Sequence, residues 1–409
     1  MRSGQSPCGL RYAVRQSGRS VAYCALSIGC GTAQETDFPP GTAHFVEHAL
    51  FRGTRRKKAS AINSYLDRLG GELNAYTTKE EIVLHATVLK EDLWKAVRLL
   101  FELALEATFP DGEIETERGV VLDEIISYKD NPAEDIYDRF ESLLFRGHPL
   151  EHPILGTLAS VKKITPTQLR AFVQRYFTPG RMALTVVAGE DETRLEKQLL
   201  KCVQAAFPQE RPEEAACGLP TFLPANPFHQ VLDKRNHEVN AVLGGYGPSL
   251  YQMPDRMVAA MLVNILGGPA SNSLLNSQLR EKKGWVYGIE CSYTQYAQTG
   301  IVAISFGCDK PHLASCLEEI RRILARLRET PLAEARVKSY RKQLLGQLAI
   351  GSEAGEAQCL SMGKSLLAWG RIMSPEEVRA CLEAISPEDL RQMACRLFDP
   401  EKVSSLVYL

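Results

Sequence analysis

A chain of 409 residues is long enough for roughly two to four domains, and its 44% hydrophobic and 24% charged content is that of an ordinary soluble globular protein. The net charge is -1 and no block of like charge stands out, which argues against nucleic acid or an anionic membrane as partner. No apolar run approaches the ~18 residues of a membrane span, and the first residues, Met1 to Pro7, lack the apolar core of a secretory signal. A cytoplasmic location is the resulting expectation.

Taken in chain order, residues 10–28 read as a hairpin. Ser17-Gly18 forms its turn, and Ala22, Cys24, Leu26 and Ile28 alternate along one face of its second strand. A Gly- and Pro-rich loop from Gly29 to Gly41 leads into an apolar helix carrying His44 and His48. A second helix, about Ala61 to Leu69, stops at Gly70-Gly71. Strands over Glu72–Thr77 and Ile82–Leu89 follow, then an amphipathic helix near Glu91–Glu106. Pro110-Asp111 opens a helix to about Tyr128, Pro166 opens a shorter one, and Met182–Ala188 reads as a strand.

Phe207 to Pro227 holds five prolines and no periodic pattern, the composition of an interdomain linker. Beyond it the order of elements repeats: a strand at Val239–Gly244, helices at Met257–Leu266 and Ser273–Lys282, strands at 285–294 and 300–307, and an amphipathic helix at 312–328. Leu66 to Gly71 in the first half occupies the place that Leu279 to Gly284 holds in the second. A repeat of about 200 residues is far too long for a solenoid and fits domain duplication. The expected fold is therefore α+β: two tandem homologous domains, each an antiparallel sheet flanked by helices, over 1–206 and 228–409 with 207–227 as linker.

Eleven cysteines, an odd number with no Cys-x-x-Cys pair, read as reduced and mostly buried. Cys24, Cys202, Cys308 and Cys395 lie in apolar stretches.

The chemistry concentrates in His44-Phe45-Val46-Glu47-His48. Positions four apart share a helical face, so His44 and His48 can aim both imidazoles at one metal ion. Glu47 lies beside them, close enough to activate a water but aimed aside, as in the inverted form of His-Glu-x-x-His. Catalytic zinc usually takes three protein ligands, and Glu124 is the best third candidate. Glu117 lies seven residues before it on the same helical face, so one carboxylate can bind the metal while the other orients a histidine or the water. A solvated helix with two chance histidines would not be flanked by Ala43, Phe45, Val46, Ala49, Leu50 and Phe51, because burying three polar groups there without partners is costly. His148 and His152 are four apart, but Pro149 and Pro153 forbid a helix there, so they read as loop residues, and His85 reads as a satisfied core histidine. Met257–Leu266 contains no His, Glu or Cys, so the first half alone is expected to hold metal.

Gly41-Thr42-Ala43-His44-Phe45-Val46-Glu47-His48-Ala49-Leu50-Phe51-Arg52-Gly53-Thr54 resembles the signature of the pitrilysin-type (inverzincin) metallopeptidases, and the resemblance runs along nearly the whole chain. Gly70 to Thr77 is similar to the family's substrate-facing edge strand. Glu117 and Glu124 fall where the family places its orienting and zinc-binding glutamates, with 76 positions from His48 to Glu124. Leu279 to Tyr287 resembles the family's second-half stretch, and its arginine and tyrosine match Arg280 and Tyr287. Ser273 and Trp285-Val286 depart from common residues of that stretch, which bears on substrate preference and not on the ligands.

The resemblance implies one zinc per chain on His44, His48 and Glu124, with Glu47 as general base. It implies that a peptide or unfolded segment adds as a strand along Asn74, Ala75, Tyr76 and Thr77, while Arg280 and Tyr287 contact the substrate or the developing oxyanion. It also implies that the chain is half of a clamshell, so that a homodimer encloses the peptide and shares its sites between subunits. A non-catalytic scaffold is the rival class, and the complete set of His44, Glu47, His48 and Glu124 argues against it.

Overall fold

The computed structural model describes residues 1–208 and 221–409, so most of the proline-rich stretch read as a linker lies outside the described residues. The first half runs β1 (Arg2–Gln5), β2 (Arg11–Gln16), β3 (Val21–Ile28), α1 (Thr42–Leu50), α2 (Ala59–Asp67), β4 (Glu72–Thr77), β5 (Ile82–Leu89), α3 (Leu93–Glu106), α4 (Asp111–Lys129), α5 (Pro132–Leu144), α6 (Leu158–Val161), α7 (Pro166–Tyr176), β6 (Met182–Ala188) and α8 (Glu192–Ala206). The second runs β7 (His229–Leu232), β8 (Val239–Gly247), α9 (Asp255–Gly267), a π-helical segment Asn276–Lys282, β9 (Val286–Gln295), β10 (Gly300–Cys308), α10 (Leu313–Glu329), α11 (Glu334–Ser352), α12 (Gly355–Trp369), α13 (Pro375–Glu383), α14 (Pro387–Leu397) and β11 (Ser404–Tyr408).

Two sheets result, ordered β1-β2-β6-β3-β5-β4 and β7-β11-β8-β10-β9. Without the extra edge strand β1, the two orders correspond strand for strand, so the duplication read from the sequence is visible as topology. Each sheet is mostly antiparallel and carries one parallel pair, β2 with β6 and β7 with β11.

The hairpin expected over 10–28 does not form. β2 and β3 are separated by β6, which runs parallel to β2 and antiparallel to β3. Every residue of β6 is buried, and only a central strand covered on both faces satisfies such a sequence. The Ser17-Gly18 signal is local and says nothing of a partner nearly 170 residues away.

Compact packing gathers Met1–Ile126, the segment from His152, and Ile350–Met373 into a first unit. Ser127–Glu151, the chain up to Ala349, and Ser374–Leu409 make the second. In the first unit, Cys24, Leu26 and Ile28 of β3 face a core shared with α1, α3 and α8. The opposite face, lined by Ala13, Ala25, Val83, Ala183 and Val187, is covered by Cys359, Met362 and Leu366 of α12. A Cβ on Gly363 would lie 2.4 Å from Ser27 Oγ, so the close approach of α12 needs glycine there. In the second unit, α5 packs on β8 and β11 through Ile136, Phe140 and Leu144, and α9 packs on β9. Among the described residues, seven cysteines are buried and unbridged, but Cys395 is exposed. It falls off the α14 stripe of Leu390, Met393, Ala394 and Leu397 that faces the core.

The N-terminus of α1 is fixed from outside the helix. Its N-cap is Gly41, at φ 92° and with no side chain to cap the first turn. The carboxylate of buried Glu35 takes over, accepting from Gly41 N at 2.9 Å and Ala43 N at 2.6 Å. A Cβ on Gly41 would meet Leu155 O at 2.7 Å, so both the left-handed turn and the packing exclude a side chain. Glu35→Ala strands two amides at the helix start and is expected to lower stability by about 2–4 kcal/mol. Glu35→Gln, which keeps one acceptor, should cost about half as much. Urea unfolding followed by tryptophan fluorescence checks both values.

Candidate metal centre

α1 and α4 are built differently. In α1, Ala43, Phe45, Val46, Ala49 and Leu50 are fully buried, so the core holds one side of the helix while His44, Glu47 and His48 turn to the other. α4 buries a narrow stripe, Ile114, Glu117, Val121 and Ile125, and Glu117 is a carboxylate within it. Glu124, one residue before Ile125, remains half-exposed beside the stripe.

The two helices bring His44, His48 and Glu124 together, with one ligand atom from each lying within 4.8 Å of the others. Glu124 Oε2 is 3.4 Å from His48 Nε2 and 3.7 Å from His44 Nε2. These separations are long for charge-assisted hydrogen bonds. They are close to the ~3.3 Å edge of a tetrahedron whose ligands sit ~2.0–2.1 Å from a zinc ion. Two imidazoles and a carboxylate at that spacing are a donor set that zinc accepts, and three protein ligands leave a fourth position open.

Behind the ligands, Glu117 Oε1 lies 2.8 Å from His48 Nδ1, and Glu117 Oε2 pairs with the Arg52 guanidinium. Nδ1 of His48 is therefore an N–H donor to Glu117, which makes Nε2, on the Glu124 side, the nitrogen whose proton a metal ion would displace. Arg52 is a residue of the centre that the sequence does not single out. Its one signal is that it stands four residues after His48, continuing the spacing of His44 and His48 past the end of the helix.

Electrostatics divide the groups. Burial, with His48 adding to it, lowers His44 to about 4, so it stays neutral and available as a ligand. Burial would also lower His48, but Glu117 and Glu124 outweigh it and raise that imidazole to about 9. His48 in turn holds the Glu124 carboxyl below its ordinary value. Burial pushes Glu47 up, against a hydrogen bond that Thr77 Oγ1 donates to Glu47 Oε2 at 2.7 Å. A carboxylate raised in this way moves toward the range in which general bases work near neutrality.

Thr77 ends β4, and β4 is the edge strand of its sheet, paired with β5 alone from Glu72↔Thr87 to Thr77↔Ile82. Asn74 is exposed, while Ala75, Tyr76 and Thr77 are half-buried. Arg280 and Tyr287 lie in the second unit. Arg280 is exposed on the π-helical segment and borders a cavity of about 550 Å³ with Asn240, Asn276 and Ser305. Tyr287 is 60% exposed on β9 and donates to Asp309 Oδ1 at 2.8 Å. His85 is indeed partnered, by Glu356 at 3.0 Å. Among the described residues, no other group of His, Cys, Asp and Glu meets the spacing of a metal site.

Comparison with known proteins agrees with this geometry. Residues 11–158 match the family described as Insulinase (Peptidase family M16), and 163–344 match the Peptidase M16 inactive domain. An uncharacterized zinc protease of Mycobacterium leprae is 30% identical over 385 residues, spanning 92% of this chain and 84% of that protein. Another, from Streptomyces coelicolor, is 28% identical over 398 residues, 95% and 85% of the two chains. The fold is also that of a protease from Helicobacter pylori, with TM-score 0.90 at 19% identity over 100% of this chain and 98% of that one. The chain belongs to peptidase family M16, the pitrilysin-type zinc metallopeptidases.

His44→Ala, His48→Ala and Glu124→Ala are each expected to lower zinc affinity by at least 100-fold, because each removes one of three donors. Chelator competition on the purified variants reads this directly. Wild-type affinity in Glu124→Ala would remove that carboxylate from the ligand set.

Proposed function

We propose that the chain is an endopeptidase that cleaves extended peptides at the free edge of β4, with Glu47 as general base. The observation that carries the reading is the 2.7 Å bond from Thr77 Oγ1 to Glu47 Oε2, which ties the base to the last residue of the edge strand. Unpaired N–H and C=O groups along Asn74 to Thr77 offer an incoming peptide a strand to pair with, and that pairing reads backbone more than side chains. Loose sequence preference follows.

Zinc on His44, His48 and Glu124 would supply Lewis acidity toward the scissile carbonyl and make a water nucleophilic near neutral pH. Glu47 then takes the proton of the attacking water and delivers it to the leaving amine. Thr77 occupies Oε2, so Oε1 is the oxygen left to receive that proton. Glu117 keeps His48 in the tautomer that offers Nε2.

Two copies of the chain form the working enzyme, in which the zinc helix of one copy and the Arg280–Tyr287 pair of the other act on the same peptide. The enclosed space favours peptides and unfolded segments over folded domains. The support for this part is the family resemblance of Leu279 to Tyr287, together with Arg280 lining a cavity.

One experiment addresses both levels. Glu47→Gln should keep its zinc and lose ~10²–10⁴-fold of its peptidase turnover, the order of magnitude of a lost general base. Arg280→Ala/Tyr287→Phe should also be inactive, and mixing the two variants should restore part of the activity through one intact site per dimer. Turnover retained by Glu47→Gln would refute the base assignment. No recovery despite confirmed subunit exchange would refute the shared site.

A further inference from the structure

The α1 side of the centre does not end at the second histidine. Arg52 follows His48 by four residues, just past the end of the helix, where its N–H bonds Ala49 O at 3.1 Å. This turn carries the guanidinium to Glu117, whose side chain is only 3% exposed. A carboxylate so buried needs a counter-charge and a full set of donors. Arg118, the cation next to Glu117 in sequence, is committed elsewhere, to Glu115, to Val161 O and to the face of Phe45. Arg52 supplies the permanent cation.

We propose that Arg52 is a positioning residue for the zinc site, acting through Glu117 on His48. Glu117 has two oxygens and two partners: Oε2 takes Arg52 and Oε1 takes His48 Nδ1. With one oxygen anchored by a cation, the carboxylate has a single orientation, and that orientation points Oε1 at the imidazole. His48 is then held with Nδ1–H donating and with Nε2, the nitrogen whose proton a metal ion would displace, directed to the space shared with Glu124. Without Arg52 the carboxylate can rotate or draw in water, and His48 loses both its angle and its tautomer. The contact is an ion pair through Nη2, and neither Nε of Arg52 nor Oε2 of Glu117 makes a hydrogen bond among the described residues. It is the contact of a point charge more than of a two-pronged fork, so a lysine can replace part of it.

The inference rests on the zinc reading, and the test separates the two. Zinc affinity is measured by competition with a chromophoric chelator for wild type, Arg52→Met, Arg52→Lys, Glu117→Gln and the double variants, with thermal unfolding of the metal-free forms alongside. Arg52→Met should lose ~10–100-fold in affinity, the usual effect of removing support behind a ligand. Arg52→Lys should recover most of that loss. In the Glu117→Gln background, Arg52→Met should cost less than about threefold, because the group it acts through is gone. The same factor in both backgrounds, or Lys no better than Met, would overturn the role. If Arg52→Met does not fold, Arg52→Gln with and without Glu117→Gln completes the cycle, and equal losses there have the same meaning. A wild type that binds no zinc would remove the site itself, which is a different failure from tight binding that ignores Arg52.

Discussion

The centre depends on α1 and α4 facing each other in opposite chain sense. His44, His48 and Arg52 ascend one side while Glu124 and Glu117 descend the other, so the groups alternate His44, Glu124, His48, Glu117, Arg52. Each of the three inner groups meets one of the opposite kind on either side, which is how such polar side chains are tolerated against a core of Phe45, Val46, Ala49 and Leu50. The spacing changes along the row. It is 3.4–3.7 Å around Glu124 Oε2, wide enough for an ion, and 2.8 Å at Glu117, the length of a charge-assisted hydrogen bond. One helix pair therefore provides both a ligand set and the bracing behind it.

Both helices are rigid elements locked by packing, which suits a site that must hold its donors to within about half an ångström. Glu35 fixes the start of α1 from a separate turn, and Gly41 allows the chain to enter the helix under Leu155 and Gly156. Glu47, the proposed base, lies on the same helix as His44 and His48, so its backbone moves with theirs. Its bond to Thr77 extends the assembly to the sheet edge. In the proposed reaction, a peptide pairing with β4 would thus meet Glu47 through the strand that holds it.

Much of the site was legible in the sequence, because its signals are periodic and short. His44 and His48 four apart and Glu117 and Glu124 seven apart state the shared helical faces, and α1 and α4 fall close to the expected bounds. The partner of a strand is not periodic, so the Ser17-Gly18 turn was read as a hairpin while β6 takes the place between β2 and β3. The helix α12 on the first sheet was equally out of reach. Its contact depends on small residues across the chain, Gly363 against Ser27, which leave no pattern in either segment alone. Arg52 sits past the last helical residue, where spacing rules lapse, and only the coordinates show it turning back to Glu117. The duplication was legible as a repeat of element order, and the matching strand orders of the two sheets give its physical form.

The central claim is that His44, His48 and Glu124 hold one zinc ion and leave a position open. X-ray absorption at the zinc edge of the loaded protein tests it most directly. The account predicts one zinc per chain with four light-atom neighbours at ~2.0–2.2 Å, two of them imidazoles, and no sulfur. It also predicts that one light-atom neighbour changes in Glu124→Ala. A sulfur neighbour at ~2.3 Å, fewer than two imidazoles, or a spectrum unchanged by Glu124→Ala would contradict it.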